Sequence, residues 1–412
     1  MRICYYNPQV TLGRTLISVI LRSVSDTKYS FLLDFLKNND LNTAFVVDGT
    51  ATTLNASSKI LNFISNNYLL VRIISFFEIY IWCILNRINP FKHKIIFSKR
   101  NLNEETDVII GFAFLMDTFV NPKMVQKSIL KDFQGPKVFH FSHYFSRTKT
   151  TADSLRKLSV RYAMAESDIS LSDFFKQYFS FIDEVYILPF VLRDRYKNRT
   201  LFSDRNDKCF AIGTELILGF QDGDQDPDYK DYREYYKTET LQPMRNTIRK
   251  NKEKYNDLID SFIKTRYMKM NKNRFVGLIN KFKKRALSYK NYFSFNIVDK
   301  YNEYKMFVSP EENVGLPSVN FVEGMACGCA YLGIKNPMYD RLGLIDGVNY
   351  IGYNGSIEDL RLKITYYLNH QDLLNEISRN GEKLVKERFS KNTVLSDLLK
   401  YLNSLVYHHN LK

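Results

Sequence analysis

Paired cysteines, metal-ligand spacings and an export signal are all missing from this chain. Its five cysteines, Cys4, Cys83, Cys209, Cys327 and Cys329, are odd in number, scattered and set mostly in apolar runs, and no CxxC pair occurs. Buried thiols in a reducing compartment are therefore expected, not a disulfide framework, and the six histidines do not show a metal spacing either. The opening Met1-Arg2-Ile3-Cys4-Tyr5-Tyr6 lacks the charged-then-apolar build of a signal peptide, so a cytoplasmic location is expected. No RRM, KH or zinc signature accompanies the basic residues, which argues against nucleic acid as a partner. A spanning helix is not expected either. The longest apolar stretch, Tyr68–Phe91, is interrupted by Arg72, Glu78 and Arg87, and charges at that depth are costly.

What is present is a folded chain of 412 residues, 45% hydrophobic and 25% charged, long enough for two domains or three. Its net charge of +15 is concentrated between Arg245 and Lys290, where 15 Lys or Arg stand against 3 Asp or Glu. Within that segment Phe275, Leu278, Ile279 and Phe282 are spaced for one helical face beside Lys281, Lys283, Lys284 and Arg285. Such a helix suits an anionic membrane surface, or it is a solvated basic face. Tyr68–Phe91, with Trp82, Arg87, Lys92 and Lys94, reads either as an interfacial helix or as a buried one. Asp222–Asp228 alternates acids like the start of a calcium loop. It lacks the glycine at the sixth position and the glutamate at the twelfth, and reads as a solvated loop.

Short apolar runs at Arg2–Tyr6, Ala44–Val47, Val108–Gly111, Lys137–Phe141, Ala163–Ser167 and Val185–Leu188 alternate with helical stretches. That pattern predicts a parallel sheet with helices on both faces, an α/β first domain over residues 1–192. A polar linker, 193–207, leads to a second unit that opens with the strand Cys209–Gly213. The stretch Met306–Ile334 organises this second unit. An apolar strand breaks at Ser309-Pro310, Glu311 and Glu312 follow, and Gly315-Leu316-Pro317-Ser318 precedes a helix bearing Val319, Val322 and Met325 on one face. Gly328 ends that helix before the apolar run Cys329–Ile334. A helix start leaves backbone N–H groups for a phosphate, and Glu323 either accepts hydrogen bonds from sugar hydroxyls or lies on a solvated face. Further on, Ser356 is placed to cap a helix Ile357–Leu368, and two more helices follow.

From about Lys208 onward the chain resembles the donor-binding half of GT-B glycosyltransferases of the retaining family 4 type. The matching pieces are Ser309-Pro310-Glu311-Glu312, Gly315-Leu316-Pro317 and Glu323-Gly324-Met325-Ala326-Cys327-Gly328. Asp346-Gly347, Glu358-Asp359-Leu360 and Glu387-Arg388-Phe389-Ser390 resemble that family's closing helices. The resemblance implies two Rossmann-like, doubly wound domains facing a central cleft, the second over 208–390, with a C-terminal helix at 391–412 packing back on the first. It also implies that Glu323 holds the donor ribose, that Gly324 and the helix start approach the diphosphate, and that Glu311 or Glu312 faces the transferred sugar. Ten residues separate Glu312 from Glu323 where the family has seven.

The family's Arg and Lys for the diphosphate have no match after Gly213-Thr214, so Arg245 and Arg249 are expected in their place. The catalytic histidine of the first domain is expected at His140 or His143, in Val138-Phe-His140-Phe-Ser-His143-Tyr, with Gly13 and Arg14 lining the same crevice. The implied activity moves a hexose-like unit, with retention and without a metal or other cofactor, from a nucleotide-diphosphate sugar to a lipid-linked or polysaccharide acceptor. The implied location is the inner face of a bacterial membrane. A sugar-nucleotide epimerase of the same fold and a non-catalytic membrane scaffold are the competing readings.

Overall fold

Parallel strands need a crossover between neighbours and are covered on both faces, so they read as short, nearly all-apolar runs. The computed structural model describes residues 1–7, 30–37, 40–47, 68–111, 125, 128–142, 144–219, 225–267 and 295–411, and sets such runs in two main sheets. The first contains β1 (Arg2–Tyr6), β2 (Thr43–Val46), β3 (Lys94–Ile96), β4 (Asp107–Gly111), β5 (Lys137–His140), β6 (Tyr162–Ala165) and β7 (Glu184–Ile187). Its order is β3-β2-β1-β4-β5-β6-β7, parallel throughout. Described helices of this half are α1 (Leu33–Lys37), α2 (Tyr68–Leu85), α3 (Thr148–Lys157) and α4 (Asp173–Phe179).

The second half carries β8 (Asn206–Ala211), β9 (Thr214–Ile217), β10 (Ile259–Ser261), β11 (Lys264–Tyr267), β12 (Tyr304–Val308), β13 (Ala330–Ile334) and β14 (Ile351–Tyr353). Five of these form a parallel sheet in the order β10-β8-β12-β13-β14, and β9 pairs with β11 separately. Its described helices are α5 (Lys230–Tyr236), α6 (Pro243–Lys250), α7 (Ile297–Glu303), α8 (Asn320–Ala326), α9 (Ile357–Leu368), α10 (Gln371–Arg388) and α11 (Lys391–Asn410). The strand order reverses between β1 and β4 in the first sheet and between β8 and β12 in the second. A crevice opens beyond the carboxyl ends of strands at each such point.

One apolar cluster runs through both halves, joining Phe139, Phe141 and Tyr144 to Phe210, Phe307, Leu316 and Phe321. A second unites the other face of the first sheet with α11, whose Val394, Leu398, Leu402 and Leu405 are buried with Tyr5, Phe45 and Trp82. Tyr401 of α11 stacks on Tyr186 of β7 at 4.2 Å. The third cluster lies under α9 and α10 on the second sheet.

Ser356 caps α9 as its sequence position predicts, accepting from the Asp359 N–H at 3.1 Å. β3 is an addition. Its three residues begin with an exposed lysine, so it has almost no apolar signature of its own. The basic stretch from 268 to 290 and residues 222–224 of the acidic loop lie outside the described residues. Of that loop, Asp226 accepts from the Asp228 N–H, and Asp228 pairs with Arg147 at 2.7 Å.

Candidate functional site at the second switch point

The loops that follow β8 and β12 stand side by side where the strand order of the second sheet reverses. After β8 the chain turns at Gly213, whose φ of +142° suits only glycine. Helix α6 starts with Pro243 at its first turn and presents Arg245 and Arg249, four residues apart, on one face. Arg245 is buried, and its Nε donates to the Pro310 carbonyl at 2.7 Å while Nη1 donates to the Thr214 carbonyl at 2.8 Å. A Cβ on Gly213 would stand 2.8 Å from Arg245 Nε, so the glycine also gives the guanidinium its room. One arginine therefore bridges the two loops of the switch point. The Lys264 N–H donates to the Gly213 carbonyl at 3.1 Å, bringing an exposed lysine to the same corner.

Arg249 corrects the expectation drawn from sequence. Its Nε lies 2.6 Å from Oε2 of Glu215, a fully buried carboxylate on β9 that also accepts from Thr265 Oγ1. A buried carboxylate needs a cation beside it. That requirement commits Arg249 of α6 to Glu215 of β9, whereas Arg245 bridges the two loops at the switch point.

Glu311 and Glu312 follow β12 but have different surroundings. Glu311 is buried, its Oε1 accepting from the Tyr331 hydroxyl and from the Ile334 N–H at 3.2 Å. Burial pushes its carboxyl up, while those two donors and the charge of Arg245 pull it back down. Glu312 is half-buried, with Oε1 accepting from Gln242 Nε2 at 3.2 Å.

The shift on Glu311 gives a pH test. A carboxyl raised in the folded state contributes stability that is fully present below the ordinary carboxylate range and is lost as pH rises through its folded value. Glu311→Gln suffers no such loss. The unfolding free energy of the variant minus that of the parent, from denaturant titrations, is expected to grow as pH rises through and above the ordinary carboxylate range. A flat difference would mean that burial does not shift the Glu311 carboxyl, and a difference that falls with pH would place it in a setting that favours its charge.

Helix α8 begins at Asn320, later than Pro317 predicts, and its N-cap residue, Val319, has no capping side chain. Pro317 instead lies buried with Gly315 and Leu316 against the first half of the molecule. There the Gly315 carbonyl accepts from Ser167 Oγ at 2.7 Å, and the Val314 carbonyl accepts from the Tyr144 hydroxyl at 2.9 Å. Gly315 has φ +80° and packs on Met338, which in turn leaves no room for a Cβ. Ser318 is half-buried at the helix start, and its Oγ accepts from the Asn320 N–H at 3.4 Å. Glu323 points inward and is held in an ion pair by Arg193, a residue of the connection between the two sheets. Gly324 was expected to approach a diphosphate. It faces the core instead, where a Cβ would meet the Phe307 ring at 2.4 Å.

On the opposite wall His140 ends β5 and is buried, with Nε2 3.6 Å from Oε2 of Glu166, which follows β6. His143, Gly13 and Arg14 lie outside the described residues. Sequence reasoning passed over Arg193, Glu166, Gln242 and Lys264. None of them sits in a local pattern, and only the topology brings them to these positions. Among the described residues no group of three or more His, Cys, Asp or Glu is arranged to hold a metal ion.

No protein-family model matches the chain, and no curated protein matches it by sequence. Solved structures do resemble it. Anabaena Alr3699/HepE in complex with UDP aligns at a TM-score of 0.50 and 12% identity, covering 98% of this chain and 100% of that one. Sucrose-phosphate synthase from Thermosynechococcus elongatus gives 0.48 at 10% identity over 99% and 100%, and a glycosyltransferase from Rickettsia africae ESF-5 gives 0.45 at 12% over 98% and 98%. At these identities the likeness concerns the fold alone, and that fold is GT-B, two Rossmann-like halves of parallel sheet and helix.

Proposed function

We propose that the chain is a glycosyltransferase that moves a hexose-type unit from a nucleotide-diphosphate sugar to a lipid-linked or surface-polysaccharide acceptor, with retention at the sugar. The observation that carries this reading is Arg245, whose guanidinium bridges the Thr214 and Pro310 carbonyls at the second switch point. A nucleoside diphosphate leaves as a highly charged group, and a fixed cation aimed at its site lowers the barrier without a proton donor. Arg245 fills that role and no divalent cation is then needed. Glu311 or Glu312 faces the transferred sugar in this reading, Glu311 held by Tyr331 and Glu312 by Gln242.

His140, paired with Glu166, and His143 are the catalytic candidates of the first domain in this reading, and Gly13 and Arg14 are candidates for contact with the donor. Glu323 would hold the ribose while its Oε1 is paired with Arg193, so donor binding and the linker are coupled in this reading. The division into residues 1–192, a linker at 193–207, a donor domain at 208–390 and a C-terminal helix at 391–412 is part of the same proposal. HepE was solved with UDP, which makes UDP-sugars the first donors to try.

A thermal-shift screen of nucleotide sugars tests the reading, since a ligand selective for the folded state raises its apparent stability. A stabilising nucleotide sugar, followed by release of nucleoside diphosphate that depends on an added acceptor, is the expected result. Conversion of the nucleotide sugar without any acceptor would make the protein an epimerase. No response to any nucleotide would leave a non-catalytic scaffold.

A further inference from the structure

A helix on a protein surface normally turns a polar face to water. α2 does not. Its Ile79, Trp82 and Cys83 are buried against the first sheet, with Trp82 edge-on to Phe45 at 6.1 Å. The opposite face exposes Leu69, Ile73, Phe76, Phe77, Ile81 and Ile84, with Phe77 and Ile84 each 60% exposed. At 3.6 residues per turn these six fall within an arc of roughly 140° that contains no charge. Arg72, whose guanidinium donates to the Phe97 carbonyl, and half-buried Glu78 both lie outside it. The patch continues past the helix through Tyr80, which meets Phe91 edge-on at 5.3 Å, and Phe91 is 84% exposed.

Cations cluster at this end of the patch. Arg87, Lys92 and Lys94 are exposed around Phe91, in a chain whose formal net charge is +15. Apolar surface with aromatic rings and a fringe of cations is the chemistry of a bilayer with anionic headgroups, where acyl chains take the apolar side chains and the headgroups take the charges. The charge-free face of a second copy would offer these cations no acidic partner, which disfavours a dimer through this face. No helix among the described residues is long and apolar enough to cross a membrane. α2 lies in the chain between the adjacent parallel strands β2 and β3. We propose that the exposed face of α2, with Phe91 and the cations beside it, docks this protein on an anionic membrane surface.

The test is flotation of the full chain, without any sugar donor, with vesicles of phosphatidylcholine alone or mixed in equal parts with phosphatidylglycerol. The parent is expected to float with the mixed vesicles at least about tenfold better than with phosphatidylcholine alone. Phe77→Glu combined with Ile84→Glu alters only exposed positions, leaves circular dichroism unchanged, and is expected to abolish flotation. Arg87→Ser, Lys92→Ser and Lys94→Ser together should remove the preference for phosphatidylglycerol while retaining a weak apolar component. Flotation of the Phe77/Ile84 variant at the parent level would overturn the proposal. So would a parent that ignores the mixed vesicles and sediments as a dimer that this variant splits.

Discussion

Arg245→Ala is expected to lower turnover of the nucleotide-sugar donor by about 100- to 1,000-fold, the range seen when one fixed charge or donor on a leaving group is removed. Three features set the size of the effect. Arg245 is buried, so its charge acts through little water. It is anchored to carbonyls on both loops of the crevice, so little reorganisation is needed as charge develops. Gly213 leaves its guanidinium the space it occupies. The substitution also strands the Pro310 and Thr214 carbonyls, at a cost of about 1–3 kcal/mol in stability. Arg245→Lys separates the two effects. It restores the charge and one hydrogen bond, and should recover part of the turnover, whereas a purely structural arginine would show the same loss of activity as of stability. Steady-state rates beside denaturant titrations of both variants decide between these outcomes.

Arg205→Ala is expected to be the most destabilising single change in the connection between the two halves, by about 3–5 kcal/mol. Arg205 is 4% exposed. Its guanidinium donates to the carbonyls of Thr200, Tyr301, Tyr304 and Cys327 and to the Asn198 side chain. These acceptors come from the linker, the end of α7 and the end of α8, so one side chain ties three segments together. Burial pushes the guanidinium down from its usual range, with Cys329, Cys327 and Glu382 opposing. Removing it leaves several buried carbonyls without a donor, each worth about 1–3 kcal/mol. Arg205→Met keeps much of the volume and should lose less. Urea titration of the second half by near-ultraviolet circular dichroism reads the difference, and an Arg205→Ala midpoint close to the parent's would show that water replaces the guanidinium.

Much of the fold could be read from the chain because parallel strands announce themselves. β1, β4, β5, β12 and β13 are buried along nearly their whole length and are apolar for that reason. β3 escaped notice because three residues with a lysine carry no such run. The site was legible to a lesser degree. The stretch around Glu311 was found because a strand, a proline break and two carboxylates occur together in sequence. The partner of each charge was not. Arg245 and Arg249 look alike in sequence, and only the buried Glu215 on β9 tells them apart. Glu323 reads as a ligand-facing carboxylate until the fold brings in Arg193 from 130 residues away. Gly324 looks like a glycine kept for a ligand, yet the ring of Phe307 is what occupies its open side.

The most direct measurement is a calorimetric titration of the preferred nucleoside diphosphate into the parent and Arg245→Ala, with the bare nucleoside titrated in parallel. If the diphosphate sits at the switch point beside Arg245, its affinity falls by about thirtyfold in the variant, roughly 2 kcal/mol, while the nucleoside binds both proteins equally. Equal diphosphate affinity in the two proteins, or an equal loss for the nucleoside, would contradict that placement.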